Sequence, residues 1–206
     1  MAINVKNAFV GQPSVDGGVL FRAPLGTALP TDSTTTIPEQ WEDHGAVSED
    51  GVSITQDRST NDIKAFGGET FITVQDNYDE QVEITLLEDD NDAVLKSAFG
   101  DAYVEKTEAT SAEGTKRVIY HTSAPLPISS FVIHTVYGEK TKRYVIERGQ
   151  VVSVGDTVDV HSDVTKKTLT IKTYKPADES LKGGNVVEYR NDGEANADAG
   201  TDPENP

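Results

Sequence analysis

The chain has 206 residues, a length for one domain with long loops or a tail rather than for two full domains. Its 35 Asp and Glu face only 18 Lys and Arg, and a net charge of −17 argues against holding DNA or an anionic membrane by bulk charge. The absence of cysteine excludes a disulfide scaffold, a thiolate metal site and a cysteine nucleophile together.

At the N-terminus, Met1 to Asn7 lacks the charged start and apolar stretch of a signal peptide, and no run approaches the ~20 apolar residues of a membrane span. A soluble chain made in the cytoplasm is expected. Residues 22–62 hold little sustained period, with Pro24, Gly26, Pro30, Pro38, Gly45 and Gly51 scattered through them. They read as one long loop, a length at which loops are usually functional or disordered, with Val52-Ser53-Ile54 as a short strand inside it. Phe71 to Val74 is rich in β-branched and aromatic residues, and Val82 to Leu86 alternates apolar with polar, so both read as strands.

Asp89, Asp90, Asn91 and Asp92 then offer caps and negative charge for the one persuasive helix. Val94, Leu95, Ala98 and Phe99 share a face of it, and Gly100 stands at its C-terminal cap. Strands follow at Arg117–Tyr120 and Phe131–Tyr137, the latter joined through Gly138 to Lys142–Arg148 as a hairpin. A short strand at Thr157–Val160, an alternating one at Thr168–Lys172 and a last one at Val186–Arg190 complete the set. From Asn191 to Pro206 five acids occur without Lys or Arg, which predicts a disordered acidic tail (191–206) after a domain spanning 1–190. The fold class is mainly β: an antiparallel β-sandwich or barrel with one flanking α-helix.

Chemistry is sparse. The four histidines are scattered, and no pair has the spacing of a metal-binding helix. No nucleophile elbow, dinucleotide fingerprint or phosphate loop is present, and Gly17-Gly18, Gly67-Gly68 and Gly183-Gly184 read as turns or bulges. Glu88 to Asp92 invites a calcium reading, but Val94 and Leu95 occupy the ligand positions that an EF-hand loop requires. The better reading is an acid-rich helix start. Catalytic, cofactor-binding and metal-binding residues are therefore all given as none, and no cofactor is expected. The basic residues Lys140, Lys142, Arg143, Arg148, Lys166 and Lys167 alternate with apolar ones, as a solvated face requires. An acidic β domain with a long loop and no visible active site suits assembly, in which neighbours order its loops and edges.

Several segments give this a name. Gly11-Gln12-Pro13, Phe21 to Thr27, Leu29 to Asp32, Gly45 to Val52, Ile63 to Gly68 and Val82 to Glu88 together resemble the major tail protein, or tail tube protein, of long non-contractile-tailed bacteriophages. The likeness is greatest to the versions carried by actinobacterial phages, with Phe66 standing where that family often has Trp. The resemblance implies a non-enzymatic virion protein that self-associates as hexameric rings stacked into a tube. Its bore would pass the tape-measure protein and later the ejected DNA, without specific DNA binding, and assembly would begin on a tail-tip initiator. It implies further that 22–62 is an arm between subunits and rings, with Arg22, Leu25, Leu29 and Trp41 as its contact candidates. A like-charged wall would keep DNA from sticking, and Glu83, Glu147 and Asp159, at polar positions in strand patterns, are the channel-lining candidates. A calcium- or carbohydrate-binding β-sandwich surface module is the alternative from another class.

Overall fold

The computed structural model describes residues 3–14 and 17–195, so 196–206 of the expected tail lie outside the described residues. The strands are β1 (Leu20–Pro24), β2 (Glu42–Asp43), β3 (Val47–Lys64), β4 (Thr70–Leu86), β5 (Val104–Thr107), β6 (Lys116–Ile119), β7 (Ile128–Tyr137), β8 (Lys140–Val154), β9 (Lys167–Thr173) and β10 (Val187–Asn191). The helix α1 (Asp92–Phe99) lies between β4 and β5.

One antiparallel sheet runs β2-β1-β7-β8-β9-β4-β3. β10 shares an edge of β8 with β9, pairing residues 141–145 while β9 pairs 149–154. Laid flat, β2 and β3 at the two ends of that order would lie roughly 29 Å apart. The chain crosses from one to the other through residues 44–46 alone. His44 N–H bonds Leu20 O on β1, and Leu87 N–H bonds Ala46 O. The sheet must therefore curl until its edges nearly meet, which makes it barrel-like.

Curling encloses the core. Val82, Ile84 and Leu86 of β4, Leu169 and Ile171 of β9, Phe131 and Ile133 of β7 and Leu20 of β1 converge inside, and Val94 and Ala98 of α1 close the end. Gly149 is needed there, since a Cβ on it would come within 2.7 Å of the Phe131 ring. A smaller cluster forms on the opposite face, where Trp41 covers Ala23, Val132 and Val145. β7 is thus buried on both faces, which is why Phe131 to Ile133 is a continuous apolar run rather than an alternation. The β7–β8 turn is tighter than expected, with Tyr137 opposite Lys140 and Gly138 at φ +61°.

The helix forms as its caps dictate. The Asn91 side chain accepts from Ala93 N–H at 2.9 Å, and Gly100 ends the helix at φ +97°. Asp92 in the first turn binds Arg117 at 2.6 Å and Lys106 at 2.8 Å, which fastens the β5–β6 ribbon to the helix. Hydrogen bonding from Lys106 and then Arg117 holds the Asp92 carboxyl below its ordinary pKa.

Two expectations need correction. Residues 22–62 are not one loop but contain most of β1, all of β2 and most of β3. Thr157–Val160 is not a strand: among the described residues no strand pairs with it, and Val158 and Val160 stay exposed despite their alternation.

Candidate assembly surfaces

β3 and β4 continue well past the sheet that supports them. β9 accompanies β4 only over residues 81–86, whereas the β3–β4 ladder continues to Lys64 opposite Thr70. From Gln56 opposite Glu80 outward the hairpin is a bare two-stranded ribbon, about 30 Å long at ~3.3 Å per residue. Its root is rigid. Glu80 is 2% exposed, and its carboxylate accepts from Gln56 Nε2 and Tyr78 Oη, each at 2.9 Å. The Arg58 guanidinium lies 4.3 Å from the Tyr78 ring centre, on a phenol whose pKa burial and Glu80 both push up.

The outer end of the ribbon has two unlike faces. On one, Asp62 accepts from Thr73 Oγ1 at 2.7 Å and Lys64 Nζ at 3.2 Å, and Lys64 also reaches Thr70 Oγ1 at 2.6 Å. These bonds hold the Asp62 carboxyl below its ordinary pKa. On the other, Ile63 faces Ile72 directly, and Val74 follows two residues further along β4. Phe71 sits at the shift of register beside them, and Phe66 occupies the turn with Gly67 and Gly68 at positive φ. All five apolar side chains are exposed, Phe66 completely and Phe71 by 77%. Isolated two-stranded ribbons are marginal in water, and an apolar face on one is stable only when covered.

The sequence hid this surface, although its signals were there. Gly67-Gly68 marked the turn and Phe71 to Val74 the returning strand. The outgoing strand was missed because Thr55 to Asn61 is polar throughout, both of its faces being wet.

The four arm candidates sit elsewhere. Arg22 is buried, with its guanidinium on Asp101 at 2.6 and 3.0 Å and on Ser129 at 3.0 Å. Trp41 is 3% exposed in the smaller core cluster, and Leu29 is packed against that cluster. Only Leu25 is well exposed. The intervening loop is pinned by the buried Arg143, which donates to Asp32 O at 2.9 Å and Thr35 O at 2.7 Å. Within it the Thr35 hydroxyl, then the Thr35 and Thr34 amides, draw the Asp32 carboxyl down to about 2. The segment that projects from the sheet is the outer half of the β3–β4 hairpin.

The channel candidates divide. Glu83 lies between the core residues Val82 and Ile84, so it points from the opposite, outer face of the sheet, where it is exposed. Asp57 and Asp79 lie along the same shallow groove, with Ser53, Thr55 and Gln81 between them. Lys172 binds Asp79 at 2.7 Å and holds its carboxyl below the ordinary value. Glu147, next to the core residue Ile146, shares that outer face but is half-buried and accepts the Asp178 N–H at 3.0 Å. Asp159 is off the sheet altogether, accepting from Thr165 Oγ1 at 2.6 Å in the loop before β9.

The acids that invited a calcium reading have protein partners instead. Glu88 accepts from Ala46 N–H at 2.8 Å, and Asp89 binds Lys167 at 3.1 Å. No group of three or more His, Asp or Glu is arranged to hold a metal ion among the described residues. No helix among them is long and apolar enough to cross a membrane.

Among solved structures, the chain is similar to a chain of the virion of a native gene transfer agent particle, at 9% identity and TM-score 0.39, covering 79% of this chain and 95% of that one. It is similar also to a chain of an extracellular contractile injection system, a sheath–tube complex in its extended state, at 8% identity and TM-score 0.37, covering 89% and 94%. A type six secretion system protein matches at 14% identity and TM-score 0.29, over 83% of this chain and 92% of that chain. No curated protein matches in sequence. The family model described as phage tail tube protein matches residues 1–182, nearly the entire curled sheet together with its projecting hairpin. The chain belongs to the phage tail tube protein family, a structural component of the virion tail.

Proposed function

We propose that this protein polymerises as hexameric rings stacked into the tube of a long non-contractile tail, whose bore passes the tape-measure protein during assembly and DNA during ejection. The projecting hairpin carries the reading. It is an amphipathic ribbon with five exposed apolar side chains beyond the last supporting strand, in a chain otherwise rich in acid. Among the described residues nothing covers it, and a polymer of identical copies supplies a surface that does. The number six, the tape-measure protein and the tail-tip initiator come from the family resemblance, and the actinobacterial likeness rests on the segments quoted for it.

Glu83 is the strongest of the three channel candidates. It shares its exposed face with Asp57 and Asp79, and sixfold repetition of such a face would line a narrow bore with negative field. Duplex DNA carries about one negative charge per 1.7 Å of axis, so a like-charged wall lets it slide where a basic one would hold it. Negative-stain microscopy of concentrated purified protein tests the reading, with rings or tubes the expected result. Monomers and symmetric dimers alone, even with the tail-tip initiator present, would overturn it.

A further inference from the structure

We infer that the hairpin tip of one copy seats its apolar face in a charge-free groove beside the open end of β8 on the next copy. This rests on the tube-forming role proposed above and names the two surfaces that meet. The groove, about 470 Å³, lies between the C-terminal end of α1, the segment 121–126 and β8 residues 150–154. Phe99, Leu126, Pro125, Val152 and Val154 give it apolar contact surface beside the polar His121, Thr122, Gln150 and Ser153, and no Asp, Glu, Lys or Arg contributes to it.

Two features fit the hairpin to this place. The first is an unused backbone edge. β7 begins at Ile128, opposite Gln150, so β8 residues 151–154 are paired by β9 on one side and by no strand on the other among the described residues. The ribbon too has free edges beyond Gln81, where β9 ends. An open edge beside an uncharged, half-apolar groove is the arrangement into which an added strand docks, with its backbone on the edge and its side chains in the groove.

The second is charge. Arg58 and Lys64 balance Asp62 and Glu69 over residues 58–74, so the tip is neutral in a chain of −17. Copies approaching through most other surfaces meet like charge, whereas the tip brings no net charge and the groove no Asp, Glu, Lys or Arg. The larger cleft, about 1020 Å³ between the N-terminal segment and the start of β3, fails on that ground because Asp43, Glu49, Asp50 and Glu88 line it against a single cation, Lys142. Because tip and groove are different surfaces, the contact is heterologous and propagates from copy to copy instead of closing a twofold dimer.

The absence of cysteine gives a clean cross-linking test. Phe66→Cys and Val152→Cys each replace an exposed side chain, so both variants should fold. Mixed under assembling conditions with a short bismaleimide, they should give a covalent dimer absent from either variant alone, and the double variant should give a ladder. Val152→Asp should abolish the contact, while Val118→Asp, exposed but outside the groove, should leave it intact. Tubes without the mixed dimer, or a dimer from Phe66→Cys alone, would overturn the pairing of tip with groove and leave the tube role standing. Absence of tubes and dimer alike would overturn both.

Discussion

At the scale of single residues, the buried polar groups decide how the subunit responds to pH and to substitution. His44 is fully buried, with Nε2 2.8 Å from Ser97 Oγ and Nδ1 3.2 Å from Glu42 O. Burial lowers its pKa to about 4 from 6.5, because the imidazolium would lose its water. The unfolded chain then binds a proton between those two values while the folded chain does not, so stability falls as pH drops from about 6.5 to 4 and is flat below. The full effect is about 3 kcal/mol. His134, also lowered to about 4 by burial and then by Arg143, acts in the same window and the same direction. Urea melts across that range should show the loss, and His44→Gln should flatten the curve by one histidine's share. Arg143→Met should cost about 2–4 kcal/mol in the same assay, because it leaves the Asp32 and Thr35 carbonyls without donors and frees the loop over Trp41.

Elements were legible in the sequence where only one of their faces is wet. Val82 to Leu86 and Thr168 to Lys172 announced themselves by alternation, and both are strands with their apolar residues in the core. The capped helix was equally plain, because Asn91 and Gly100 bound it chemically. Alternation misled at Thr157–Val160, where nothing pairs, and its absence hid the outgoing strand of the hairpin. The burial of Trp41 and Arg22 was not legible, because buried positions inside a Pro- and Gly-rich segment have no period to reveal them. Excising residues 59–77 and joining Arg58 to Tyr78 through Asn-Gly should therefore leave the fold intact, with its melting temperature within a few degrees, yet abolish polymers. Hydrogen exchange sharpens the contrast. Amides of residues 59–77 should exchange fast in the free subunit and slowly in the polymer, while those between Arg22 and Trp41 should change little. Trp41, already buried, should show no shift in fluorescence on assembly.

For the whole molecule, the barrel-like curl was implied by strand content but fixed by the crossing at residues 44–46, which no local pattern foretells. Nor was the tip-to-groove pairing readable, since it joins residues from β3, β4, α1 and β8 that only the folded sheet arranges. With −17 on each copy, assembly works against mutual repulsion. Raising salt from about 0.05 to about 0.5 M, which shortens the screening length severalfold, should promote tubes, as light scattering would record. Assembled tubes should not retain duplex DNA at low salt, and retention that salt reverses would refute the acidic wall. Truncation after Arg190 removes the end of β10 and one exposed ion pair, Lys6 with Glu194 at 3.0 Å. Water and salt screen a pair this exposed, so the melting temperature should stay within a few degrees.

The pairing of β1 with β7 sets a timetable for the ribosome. Leu20 waits for Ile133, about 110 residues later in the chain, before it can close the sheet. At the usual speed of synthesis that interval is roughly 6–20 s. The β3–β4 hairpin, whose strands are neighbours in sequence, needs no such wait and can form within microseconds of emerging. The groove cannot, because its last wall, residues 150–154, is translated well after the hairpin. Each nascent subunit thus acquires its plug early and its socket late, so it can be received by a finished neighbour before it can receive one.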